Sequence, residues 1–327
     1  MVNGNSIQFG NLQLLPALIR IVRPQLTSDY NYYNIINSIW GDLRKELEKA
    51  QKTLGWKQLR LIRERLRRMF EICGFYTDGI KFAKGCLHAA RQESKSTIEQ
   101  AWILTKDLGW LLVLDHKYNE SISKIEEGLA LFTELSKANK ASAKVGEFYA
   151  LRYLGVAHQH LARINSSDDF SVALNYFSKA EKAIRDCAEE EREGLRARIC
   201  NNYGNIAVLK GKLDEAENYF RSSEGLFSAL KDDEHLAIVR INLGRLYLSR
   251  INNLQKHFLY DEQTRLLDKA EKYLKDAINK ANEIGWVEGQ ARAKENLVLL
   301  ENLWVKSDKH LITFTFRFLR HGHKNGY

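Results

Sequence analysis

Hydrophobic residues recur along most of this chain at spacings of three and four, the period of a helix that buries one face. Between residues 30 and 54, Ile35, Ile36, Ile39, Trp40, Leu43 and Leu47 form one apolar stripe, which predicts an amphipathic helix. The next stretch, WKQLRLIRERLRRMFE, sets Leu59, Ile62, Leu66 and Met69 on one face and interleaves Lys57, Arg60, Arg63, Arg65, Arg67 and Arg68. Helical spacing then continues to about residue 305. In the tail LITFTFRFLRHGHKNGY it gives way to strict alternation from Ile312 to Phe318, the period of a strand. A chain otherwise helical offers that segment no sheet, so it reads as an extended arm, a partner-binding segment or a disordered tail.

Within the helical region small residues recur in a fixed order. The clearest unit is NNYGNIAVLKGKLDEAENYFRSSEGLF, residues 201–227, with Gly204, Leu213, Ala216, Phe220 and Ser223. Gly204 and Ala216 lack bulk, which lets two antiparallel helices approach. Phe220 is expected to fill the wider space towards the next hairpin, and Gly211-Lys212 to make the turn, since glycine enters the left-handed region cheaply. The order returns as Gly109, Tyr118, Ser121, Ile125 and Gly128, and as Gly155, Phe170, Ala173, Phe177 and Ala180 after the loop INSSDD. It returns again as Gly244, Ala270, Leu274 and Ala277, with an insertion expected from Ile251 to Arg265. A worn copy holds Gly74, Tyr76, Gly79, Ala83 and Cys86, with Arg67 where the first-helix glycine belongs, and a half-copy from Gln290 to Trp304 has Val298 there.

These residues resemble the tetratricopeptide repeat, a helical hairpin that stacks into solenoids. The resemblance implies an all-α fold, a right-handed α-solenoid of about five hairpins with worn terminal units as caps. Equivalent small positions lie 40 to 54 residues apart, against about 34 in the standard repeat, so longer helices and inserted turns are expected. The expected organisation is an N-terminal segment 1–29 free to be mobile, a capping helix 30–56, a superhelical domain 57–305, and a basic, aromatic tail 306–327.

Composition narrows the function classes. The 327 residues include two prolines, Pro16 and Pro24, so nothing after residue 24 breaks a helix. The apolar stretch from Leu12 to Val22 contains Pro16 and Arg20 and lacks the layout of a secretion signal. No run approaches the roughly 18 apolar residues of a membrane span, and a cytoplasmic protein without membrane contact is expected. Cys73, Cys86, Cys187 and Cys200 are too scattered for a zinc site and read as buried free thiols. The net charge of +9 lies at the two ends, in residues 41–70 and 306–327, which leaves nucleic acid open as a partner for the basic helix over residues 57–70 and the tail.

The stretch from IINSIWGDLRKELEKAQKTLGW through LRRMFEICGFYTDGIKFAKGCLHAARQ and onward through the Gly109 repeat, most of residues 30–300, also resembles the C-terminal sensor region of STAND-type signalling ATPases, with Trp40, Asp42, Leu43 and Arg44 matching its layout. The chain has no GxxxxGK[ST] phosphate loop, since Gly211-Lys212 is followed by Leu213. The resemblance therefore implies a sensor arm without its motor. Asn201-Asn202 in CNNYGNIAV is similar to the repeats of kinesin light chains and of bacterial peptide-receptor regulators, where first-helix asparagines hold a peptide backbone.

In tetratricopeptide solenoids the first helices line the concave face. The family positions that point into it fall here on Glu64, Arg68, Lys106, Trp110, Arg152, Gln159, Asn201, Asn205, Ile241 and Arg245. Such a set suits an acidic peptide or helix, with guanidinium forks for carboxylates and amides for the backbone, so the partner class expected is a protein or peptide. No HExxH, GxSxG or dinucleotide glycine motif occurs, and no enzyme, cofactor or metal is assigned. His310, His321 and His323 read as tail residues, and Glu189-Glu190-Glu191 as a solvated turn between helices.

Overall fold

With both prolines upstream of residue 30, helix propagates unbroken wherever the apolar stripe persists. The computed structural model describes residues 30–93, 96–137, 141–253 and 260–303. The expected N-terminal segment 1–29 and the tail 306–327, with its strand-like stretch and histidines, lie outside the described residues.

All regular structure among the described residues is helical. A capping helix α1 (Tyr30–Thr53) precedes five hairpins. They are α2 (Trp56–Ile72) with α3 (Tyr76–Glu93); a rod made of α4 (Thr97–Trp102), a π-helical stretch (Ile103–Gly109) and α5 (Trp110–Leu114), with α6 (Tyr118–Lys137); α7 (Ala141–Ile164) with α8 (Ser171–Ala183); α9 (Glu189–Leu209) with α10 (Leu213–Ala229); and α11 (Asp233–Asn253) with α12 (Tyr260–Glu283). Residues 287–303 form a further helix. Each helix packs on its neighbours in sequence, and this is the α-solenoid of helical hairpins that the repeats predict. α1 docks on the first hairpin through Trp40, whose ring stacks on Phe75 at 3.9 Å and whose indole N–H donates to Asp78 at 3.0 Å.

One backbone device ends five of these helices. At Gly211 (φ 71°) the N–H bonds Val208 O, and that of Lys212 reaches back to Ala207 O, which together satisfy two orphan carbonyls of the last turn. The same two bonds close the chain around His116, Ser166, Lys231 and Gly285, all in the left-handed region. Glycine marks two of these turns in the sequence, and the other three carry no such mark.

Two local expectations change. The insertion expected from Ile251 to Arg265 is mostly helix, because α11 runs to Asn253 and α12 starts at Tyr260. Glu189, Glu190 and Glu191 form the first turn of α9 rather than a turn between helices, where their charge complements the helix dipole. Phe220 meets the next hairpin as expected, in one apolar cluster with Leu236, Val239, Leu243 and Leu246 of α11, and it also fills its own hairpin. A β-carbon at Gly204 would lie 2.5 Å from its ring, so the phenyl occupies the space that the glycine leaves within its own hairpin. Gly155 with Phe177, Gly109 with Ile125 and Gly244 with Leu274 repeat the arrangement.

The stack curls until its ends meet. Ile72 and Cys73 of the first hairpin enter an apolar cluster with Ala237, Ile241, Ala277, Ala281 and Trp286. Arg68 pairs with Glu234, and the Tyr76 hydroxyl donates to Glu288 at 2.7 Å, across 212 residues of chain. Tyr76→Phe is expected to cost about 1 kcal/mol, one net hydrogen bond. It should also speed amide exchange in residues 287–303; unchanged exchange there would detach this bond from the seam.

Candidate functional site

Because the stack closes, the inner faces of its first helices converge on a partly open pocket of about 210 Å³. Every hairpin contributes. Arg67, Arg68 and Glu71 come from α2, Lys106 from the π-helical stretch, Trp110 from α5, and Tyr149, Arg152 and Tyr153 from α7. Arg198 and Asn201 come from α9, Phe227 from α10, and Glu234, His235, Ile238 and Val239 from α11.

Five cations and two carboxylates therefore line one pocket. Arg68 is paired with Glu234, and Arg198 lies 3.5 Å from Asp232. Arg67 Nε lies 3.8 Å from Asp107, and the other two are held differently. Lys106 Nζ sits 4.9 Å from the centre of the Tyr149 ring and 5.8 Å from that of Trp102. The Arg152 guanidinium lies 5.3 Å from Tyr153 and 5.9 Å from Trp110, two rings that stack on each other at 4.6 Å. No carboxylate pairs with Lys106 or Arg152 among the described residues, and Arg152 Nε and Arg67 Nη1 are buried without an acceptor. An aromatic face attracts a cation without neutralising it, so these heads keep their charge for something else.

The electrostatics follow. Burial, and then the Arg67 charge, push the Lys106 ammonium down to about 8, against the pull of Glu71 and Asp107. Burial lowers the Arg152 guanidinium and raises the Glu71 carboxyl, the latter despite Arg67 beside it. His235, stacked on Phe227 at 5.0 Å and bonded to Asp232 at 2.9 Å, is held below the ordinary histidine value first by burial. Asn201 accepts a 2.8 Å hydrogen bond from Asn242, which joins the fourth and fifth hairpins beside the cavity.

Arg68, Lys106, Trp110, Arg152 and Asn201 thus meet in one cavity, while the other five candidates do not. Glu64 is exposed and pairs with Arg60 at 2.9 Å. Gln159 is buried and Asn205 half-buried, both further along their helices than the cavity. Ile241 is 1% exposed and belongs to the apolar seam. Arg245 is exposed and lies outside the cavity lining. The physical reason is helix length. First helices such as α7 and α11 begin a turn or more early, so the faces converge on Tyr149, Arg198 and Glu234, upstream of the positions carried over from the shorter standard repeat. Those three sit three residues before Arg152 and Asn201, and four before Ile238, on the same helix faces, and that spacing is the signal in the sequence. Asn242 shows the same: it precedes Gly244 by two residues, as Asn202 precedes Gly204.

The basic helix α2 turns its charge inward. Arg63, 10% exposed, bonds Asp107 and also Glu99 at 3.1 Å. Burial alone would lower its guanidinium, and the two carboxylates together hold it raised. Arg60 pairs with Glu64 and reaches Glu99 at 3.8 Å, and Arg68 closes the seam. Asp107 and Lys106 both lie in the π-helical stretch, a geometry found mostly at single sites where function retains it. The four cysteines are unpaired. Cys86 and Cys187 are buried, Cys73 and Cys200 half-buried, and burial raises all four thiols, Cys73 to about 12. Among the described residues no helix is long and apolar enough to cross a membrane.

No protein-family model matches the chain, and no curated protein matches it. Among solved structures it is similar to BtubC (BKLC) from P. vanneervenii, with 13% identity and a TM-score of 0.47 over 82% of this chain and 93% of that one. It is also similar to a Rap protein complexed with competence and sporulation factor, with 14% identity and a TM-score of 0.48 over 92% of this chain and 90% of that one.

Proposed function

We propose that this protein binds an acidic peptide or protein segment on the inner face of its closed solenoid, as a sensor or adaptor of a prokaryotic regulatory system rather than as an enzyme. One observation carries the reading: Lys106 and Arg152 are fixed by aromatic faces and left without carboxylates, at the point where five hairpins converge. Asn201 and Asn242 add amides for a peptide backbone. The cavity brings together cations and rings without a nucleophile and base in hydrogen-bond reach of each other, which supports binding over catalysis. The sensor role rests on the resemblance of the α1–α3 region to STAND-type sensor arms, and a cytoplasmic location is proposed with it.

The test is fluorescence titration, through Trp110, of peptide pools rich in Asp and Glu against pools rich in Lys and Arg. Acidic pools should bind the wild type and lose at least about tenfold in affinity with Arg152→Glu, the loss of a charged hydrogen-bonding partner. Equal binding of both pools would remove the inner face from consideration.

A further inference from the structure

We infer that the centre of the ring is a site for a doubly charged oxyanion of the phosphoryl type, held by Arg67, Lys106 and Arg152. The inference rests on the inner-face reading and gives the chemistry of the group held at its centre. Three observations support it. The three cationic heads reach one cavity from three different elements, α2, the π-helical stretch and α7, so they surround a point instead of lining a strip. Two of their nitrogens, Arg67 Nη1 and Arg152 Nε, are buried with no acceptor, a cost that a native interior normally relieves with a partner. Lastly, the nearby carboxylates neutralise them only in part. Glu234 pairs with Arg68, Asp107 pairs with Arg63 and lies 3.8 Å from Arg67 Nε, and burial and the nearby Glu234 charge favour the protonated form of Glu71.

One carboxylate offers two oxygens and one charge, fewer than three converging cations can use. A phosphate or phosphate monoester offers three or more oxygens and two charges, and guanidinium forks match it. It would also tie three successive hairpins together, since Arg67 belongs to the first, Lys106 to the second and Arg152 to the third. Glu71 and Glu234 face the same space, but with Glu71 favoured in its protonated form and Glu234 paired with Arg68 neither bars a doubly charged anion.

The folded stack should therefore be more stable with the anion bound. The experiment is thermal unfolding and calorimetric titration of the full chain at fixed ionic strength. The probes are inorganic phosphate, a phosphoserine peptide, and the same peptide with Glu in place of phosphoserine; proteins are the wild type, Lys106→Met, Arg152→Gln and the exposed control Lys57→Met. Phosphate is expected to raise the wild-type and Lys57→Met Tm by about 5 °C at a hundred times its Kd, the linkage of binding to unfolding. Lys106→Met and Arg152→Gln should bind it at least about tenfold more weakly. Both variants remove an unpaired charge, so without anion they should melt no lower than the wild type. If either fails to fold, the other carries the comparison.

The peptide arms separate the sources. A phosphopeptide that binds more tightly than free phosphate and than its Glu form places the group on a peptide, and free phosphate binding alone makes the anion a structural ligand. Glu and phosphoserine peptides that bind equally, with no response to inorganic phosphate, overturn the phosphoryl site and leave the acidic-peptide reading standing. Phosphate bound without any peptide does the reverse.

Discussion

Asp107→Ala is expected to lower the unfolding free energy by about 3–5 kcal/mol, the cost of stranding one partner of a buried ion pair. The Arg63 guanidinium is 10% exposed and the Asp107 carboxylate 3%, so water cannot replace what the substitution removes. Glu99 remains as a second partner at 3.1 Å but is itself 22% exposed, and it recovers only part of the loss. The double variant Arg63→Met with Asp107→Leu should regain most of the stability, because well-packed apolar side chains often replace a buried pair at little cost. Urea unfolding of the two variants checks both statements. A loss below about 1 kcal/mol for Asp107→Ala, the range of exposed pairs, would mean that the network is wet.

Gly204→Leu is expected to cost about 3 kcal/mol or more, at the upper end of overpacking effects. Its first added atom would lie 2.5 Å from the Phe220 ring, which is fully buried and has nowhere to turn. The same hairpin supplies the control. A β-carbon at Gly225 meets nothing within 4 Å, so Gly225→Ala should stabilise by about 0.5–1 kcal/mol through helix propensity alone. Chemical denaturation of the two variants should therefore move in opposite directions. Similar losses in both would place the wrong glycine at the helix crossing.

The hairpins were legible because each needs a small residue where its helices touch, and Gly109, Gly155, Gly204 and Gly244 announce that need in one letter. Turns were legible only where glycine makes them. His116, Ser166 and Lys231 adopt the same left-handed backbone with ordinary side chains, and a pattern of residue types cannot show that. The candidate site was half legible. Lys106, Trp110 and Arg152 follow from repeat register, whereas Glu234 and His235 depend on where α11 begins, which its sequence alone does not fix. Ile241 was misplaced because a position that faces a groove in an open stack faces an apolar seam when the stack closes. The seam itself joins residues 166 and 212 positions apart, beyond the reach of any local period. The charge of α2 misleads for the same reason: Arg63 and Arg67 look like a solvated stripe until the π-helical stretch and its Asp107 are packed against them.

The meeting of first and fifth hairpins alters how this chain gains and loses its structure. An open array can fray from either end one unit at a time, since each repeat answers only to its neighbours. Here the outermost units hold each other, so neither can leave without releasing the other, and unfolding should be a single cooperative event over the whole array. The cost is kinetic. Segments more than 150 residues apart must find each other after the intervening hairpins have formed, and contacts of that range come late and slowly. A chain still emerging from synthesis would hold its first hairpin with the seam residues Ile72 and Cys73 uncovered until α11 and α12 exist, a window in which a chaperone has more to protect than in the finished ring.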